Sequence, residues 1–147
     1  MKYLVGVLIW AVIWNPSALL SAHQVQSVRL SSQVFRIQAS STVQPLYPIQ
    51  SLKIHHSGVV IVDVHVSPAG RVLDVEVLQS PDLWMSRSVQ TAVRQWLFRP
   101  VTRRDGSHTA FEVVGRLFFY FAIDKGKPVI RELVGDQMPL NVRSKSS

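Results

Sequence analysis

The chain has 147 residues, 17% of them charged and 47% apolar, the balance of one domain with appendages and a real core. It contains no cysteine, which excludes a disulfide framework and any thiolate metal site. The formal charge of +7 is scattered, with Arg103-Arg104 the one basic pair, so no basic arm or stripe marks a nucleic-acid partner.

Lys2 precedes an unbroken apolar run over residues 3–14, Asn15-Pro16 interrupts it, and small residues lead to Ala22. A positive start, a short apolar stretch and a small-residue finish describe a secretory signal peptide cleaved after Ala22. Residues 3–22 are also about long enough to cross a bilayer, so retention as an inner-membrane anchor is the other reading. Both place the remainder outside the cytoplasm. Residues 23–44, rich in Gln and Ser, read as a linker or a loosely attached strand.

Pro45-Leu46-Tyr47-Pro48 opens the folded part, because proline restricts both itself and the residue before it. Over 58–79 apolar and polar residues alternate twice around Ser67-Pro68-Ala69-Gly70, the pattern of an antiparallel hairpin. A short helical turn over 49–54 is expected to lay Leu52 on this hairpin. Val60, Val62, Val64 and Val66 share one face with Leu73, Val75 and Val77. A four-residue loop pairs Val64 with Leu73, Val62 with Val75 and Val60 with Val77. A helix comes next, capped by Ser80, with Pro81 at its first position and Asp82 favouring its positive end. Met85, Val89, Ala92, Val93 and Trp96 form its apolar stripe. After a polar loop holding Arg103-Arg104-Asp105-Gly106, a long strand runs over 111–123. Gly115, Leu117, Phe119, Phe121 and Ile123 lie on one face, and Val114, Arg116, Phe118, Tyr120 and Ala122 on the other. Residues 124–147 read as a flexible basic tail.

The order hairpin, helix, strand is ββαβ, an α+β fold with a small antiparallel sheet and a helix packed on one face. Tyr47-Pro48, Gly58-Val59-Val60, Pro68-x-Gly70-Arg71-Val72 and the run Ala92-Val93-Arg94-Gln95-Trp96-Leu97-Phe98-Arg99-Pro100 resemble, as an ordered set, the TonB C-terminal domain over about residues 45–123. The resemblance implies a periplasmic module whose last strand lies at a sheet edge. There it captures the TonB box, a short peptide of outer-membrane TonB-dependent transporters, by strand addition. Residues 3–22 lack the family's membrane Ser-x-x-x-His pattern, and 23–44 hold no proline rod. The resemblance therefore carries peptide capture further than proton-driven coupling.

The expected partner-binding residues are Val114, Arg116, Phe118 and Tyr120, on the strand face opposite the helix. A partner, a second copy or a terminal segment of this chain would each account for the aromatic pair Phe118 and Tyr120. The hairpin's outer face sets Asp63 opposite Asp74 beside His65 and Glu76, which reads as a solvated face and not as a metal site. No nucleophile elbow or other catalytic motif is present, so neither an enzyme nor a cofactor is expected. The alternative function is a structural envelope-assembly domain that forms a homodimer through the same edge.

Overall fold

The computed structural model describes residues 27–102 and 110–134; the expected leader over 1–22, the basic pair Arg103-Arg104 and residues 135–147 lie outside the described residues. Among the described residues no helix is long and apolar enough to cross a membrane. The elements begin with β1 (Ser27–Arg29), α1 (Ser32–Gln38), β2 (Ala39–Ser41) and α2 (Ile49–Lys53). They continue with β3 (Gly58–Val66), β4 (Val72–Gln79), α3 (Leu83–Val93), β5 (Leu97–Phe98), β6 (Glu112–Asp124) and β7 (Lys127–Leu133). The α+β class and the ββαβ order hold as β3, β4, α3 and β6, with further elements before and after them.

The hairpin forms where the alternation places it. Gly70 adopts φ 81°, and its N–H donates to Ser67 O at 2.9 Å to close the turn. A Cβ at Gly70 would stand 1.9 Å from the Phe98 carbonyl oxygen, so both the conformation and the close approach require glycine. The register differs from the one the alternation suggests. Val64 pairs with Val75, Val62 with Val77, Asp63 with Glu76 and His65 with Asp74. A five-residue connection between Val66 and Val72 and a bulge at Leu73 each move the register by one; Leu73, expected inside, is 57% exposed, and a second bulge at Leu78 lies beyond Val77. Val72 takes its place against the core. The shift is by two residues, so Val75 and Val77 stay on the buried face.

The helix starts two residues later than expected. Asp82 is the N-cap, its Oδ1 accepting from Met85 N at 2.8 Å, while Ser80 Oγ donates to Asp82 O at 2.7 Å. Its stripe behaves as the spacing predicts: Met85, Val89, Ala92, Val93 and Trp96 are all buried, against the β3 valines and Leu117, Phe119 and Phe121 of β6. Trp96 Nε1 donates to Val43 O at 2.8 Å, which satisfies its polar end.

Two further expectations are corrected. Residues 23–44 are not a plain linker, because 27–41 form β1, α1 and β2, and Phe35 of α1 is fully buried in the main core. Its ring lies 4.6 Å from that of Phe98 and fills the space over Gly115, where a Cβ would meet it at 1.9 Å. Nor is the stretch after Asp124 a free tail throughout. Lys125 (φ 48°) and Gly126 (φ 78°) make a tight turn, and β7 returns antiparallel along β6, pairing Asp124 with Lys127 and Phe118 with Leu133.

The candidate peptide-binding side of the sheet

Strand order is β1-β6-β3-β4, with β7 also on β6. The long strand is therefore internal and not at an edge, which corrects the expectation taken from the resemblance. Its side away from β3 is covered in two pieces. β1 runs parallel to Glu112, Val113 and Val114, and β7 runs antiparallel to the stretch from Phe118 to Asp124. Leu30 N donates to Val114 O at 2.9 Å, so the main chain of Val114 points away from β3. Outward main-chain groups recur at every second residue. Arg116 is thus the outward position between the two covers, outside both ladders among the described residues.

The four expected site residues do share one face, but they are not equally accessible. Val114 is buried beside β1. Phe118 is only 1% exposed and packs with Val59, Ile61 and Leu133, so the terminal segment covers it. Tyr120 remains 36% exposed opposite Arg131.

Arg116 is engaged through its side chain. Its Nε donates to Asp63 Oδ1 at 2.7 Å and its Nη2 to Oδ2 at 3.1 Å; Arg29 of β1 donates to Oδ2 at 3.0 Å. Asp63 is 3% exposed, a carboxylate held by two guanidiniums that tie β1, β6 and β3 together. Burial alone would raise its carboxyl, but Arg116 and Arg29 outweigh burial and hold it below the usual carboxylate range. The Asp63 bond holds the Arg116 guanidinium all the more firmly protonated. The described residues contain no group of three or more potential metal ligands.

A second ionic contact lies on the helix side. Arg36 of α1 has Nε 2.7 Å from Glu132 Oε1 of β7, and its guanidinium sits 5.4 Å above the Trp96 ring. Burial pushes the Glu132 carboxyl up despite Arg36. Sequence reasoning missed this contact, since Arg36 and Glu132 fell in stretches read as linker and tail. Two signals were present: Ser31 before an apolar-periodic run, and Asp124-Lys125-Gly126 as a hairpin turn.

The other open edge is β4, and it is a poor template. The bulges at Leu73 and Leu78 break its line, and Asp74 and Glu76 add charge beside it. β7 has an outer edge too. Its residues 127, 129, 131 and 133 face β6, so Pro128, which has no N–H, falls on that outer edge and blunts it. Between these two guarded edges stands an internal strand, β6, whose outward side is covered only by short segments.

The model of the Gram-negative bacterial TonB protein C-terminal family matches residues 43–129, more than half of the chain, and the chain belongs to this family. It is 35% identical over 63 residues to Protein TonB of Klebsiella pneumoniae, a stretch that covers 42% of this chain and 26% of that relative. The matched stretch thus spans about a quarter of that relative's length. The solution NMR structure of the Pseudomonas aeruginosa TonB C-terminal domain is 28% identical, covers 60% of this chain and 88% of that one, and superposes with a TM-score of 0.49.

Proposed function

We propose that this chain is a non-catalytic, TonB-like transducer module that works in the periplasm, exported or anchored through residues 3–22. It takes an extended TonB-box-type peptide of an outer-membrane transporter onto the β6 side of its sheet. The observation that supports this most is the divided cover of β6. β7 contributes no fully buried residue and is joined by a two-residue turn, so its departure takes no fully buried side chain out of the core. An incoming strand in its place would meet the outward main-chain groups of Phe118, Tyr120 and Ala122, and Arg116 beyond them. Main-chain bonds then give affinity, and the alternating positions Val114, Arg116, Phe118 and Tyr120 give selectivity.

The test titrates labelled TonB-box peptides into the wild type, Tyr120→Glu, and a β6–β7 staple made by Ala122→Cys with Val129→Cys. These two residues pair directly across the ladder, and the chain has no other cysteine. Saturable binding is expected for the wild type, weaker binding for Tyr120→Glu, and none for the oxidised staple until it is reduced. Folded wild type that binds no such peptide at millimolar concentration overturns the transporter reading. If that protein instead dimerises with concentration, the same side serves self-assembly. An oxidised staple that binds as well as wild type removes β7 exchange from the mechanism.

A further inference from the structure

A groove of about 510 Å³ runs between the extended segment 43–48 and the solvent side of α3, on a part of the molecule that strand addition does not use. We propose that it is a second docking site, for an extended acidic segment of a partner protein that presents an apolar side chain next to a carboxylate.

The groove is built in advance. Ser88 Oγ donates to Leu46 O at 2.5 Å and accepts from Leu46 N at 3.0 Å, which fastens the segment to the helix. Pro45 and Pro48 restrict its backbone further. The size lies within the range of sites that hold a small ligand or a few side chains. Its walls leave large apolar groups in water: Leu46 is 80% exposed and Trp84 42%. Large apolar surface gathered at a concave site marks an interaction surface more often than isolated exposed residues do.

Charge selects the occupant. Among the described residues Arg87 is the one charged residue lining the groove, and its guanidinium stacks 5.7 Å over the Trp84 ring. It has no carboxylate partner among the described residues, and neither has Arg94, about two turns further along the chain. A guanidinium stacked on an aromatic face keeps its N–H edge free for the fork geometry of a carboxylate. The chain's own N-terminal stretch, residues 1–26, is apolar enough to fill the groove but contains no Asp or Glu. A second copy of this chain would bring a further net charge of +7. Residues 135–147 hold one acid, Asp136, against Arg143 and Lys145, so that stretch is net positive as well. A segment acidic enough to select the groove therefore comes from another protein. This inference does not depend on peptide capture at β6, and the two fail separately.

The probe is an acetylated, amidated hexapeptide, Glu-Pro-Leu-Glu-Phe-Asp, titrated into the isotope-labelled full chain held in zwitterionic bilayer discs. Chemical shifts at the Trp84 indole and the Thr91 amide are expected to move while those of β6 stay still. Affinity should fall at least tenfold for the Gln/Asn version of the peptide and for Arg87→Glu, an exposed position whose change spares the core. A peptide with lysines for its acids should recover binding to Arg87→Glu. Equal binding of the neutral peptide, or shifts outside the groove, overturns the proposal. So does hexanoate binding as tightly as the peptide, which makes the site one for small amphiphiles. Arg87-dependent binding to anionic vesicles with a silent peptide assigns the groove to lipid. A dimer dissolved by Arg87→Glu assigns it to a second copy.

Discussion

β3, β4 and α3 hold together through a continuous apolar surface, whereas β1, α1 and β7 bury few side chains between them. In the first region every second residue of β3 and every third or fourth of α3 enters one core. In the second, Phe35 anchors α1, two arginines close on Asp63, and Leu133 and Ile130 are the apolar contributions of β7. Periodic burial makes a region cooperative, since no residue can leave without its neighbours. Single anchors make covers that open at lower free energy. The first region is the scaffold, and the second controls access to the β6 main chain.

Truncating one buried ring in each region gives the largest test of this difference. Trp96→Ala is expected to destabilise the whole domain by about 3–5 kcal/mol, because the ring fills the space between α3 and β6. Phe35→Ala removes a ring just as buried, but its cost is capped by the undocking of α1 and β1. Urea melts should show a smaller loss, and hydrogen exchange should show amides of 27–41 released while β3 stays protected. A loss equal to that of Trp96→Ala would merge the two regions into one cooperative unit.

The glycines make a smaller version of the same comparison. Alanine at Gly70 would collide with the Phe98 backbone at a positive φ, and nothing there can yield. Alanine at Gly115 would collide with the Phe35 ring, which can move with α1. Gly115→Ala is therefore expected to cost about 1–3 kcal/mol and Gly70→Ala more. Adding Phe35→Leu should recover part of the Gly115→Ala loss and none of the Gly70→Ala loss, as a double-mutant cycle on melting curves would measure.

Asp63 joins the regions, and its substitution should cost less again. Asp63→Asn leaves Arg116 and the mostly exposed Arg29 with a neutral partner, for about 1–3 kcal/mol at pH 7. The folded carboxyl titrates below its unfolded value, so its stabilisation is complete above the ordinary carboxylate range and is lost as pH falls through the folded value. The gap between wild type and Asp63→Asn should thus close in acid, below about pH 4. A gap that persists there would mean that the aspartate matters by shape and not by charge.

The scaffold was legible in the sequence because it is periodic. Val60 to Val66 and the stripe from Met85 to Trp96 each repeat a face several times, and the longer turn together with the bulge at Leu73 shifts partners by two without turning the face. The covers were not legible, because each rests on one or two residues in a polar stretch. Phe35 stands among Ser and Gln, and β7 carries Lys127, Pro128, Arg131 and Glu132. Tertiary position does more than local pattern to make them strands and a helix; the Ser31 cap and the Asp124-Lys125-Gly126 turn were their local signals. The site was half legible for the same reason. Val114, Arg116, Phe118 and Tyr120 share a face as alternation requires, but which strand lies beside them depends on β1 and β7.

The smallest expected effect concerns the contact between those two covers. Arg36 Nε and Glu132 Oε1 are 2.7 Å apart, yet Oε1 is buried with no hydrogen bond of good geometry. Such a pair has two opposite consequences. As a clasp it would hold α1 to β7 and strengthen the closed state. As a buried carboxylate it would weaken that state, because ionisation inside is harder than in the unfolded chain. The raised Glu132 carboxyl means that the second effect is the larger. A carboxyl with a folded value above its unfolded one contributes stability at low pH, and that contribution is lost as pH rises through the folded value. Glu132→Gln should therefore raise stability at pH 7 by no more than about 1 kcal/mol, seen as a higher melting temperature, with the gain disappearing below the ordinary glutamate range. It should also weaken TonB-box binding slightly, if a firmer β7 competes with the peptide. A variant that melts lower at pH 7 than wild type would make the pair a clasp, and β7 a cover held by charge.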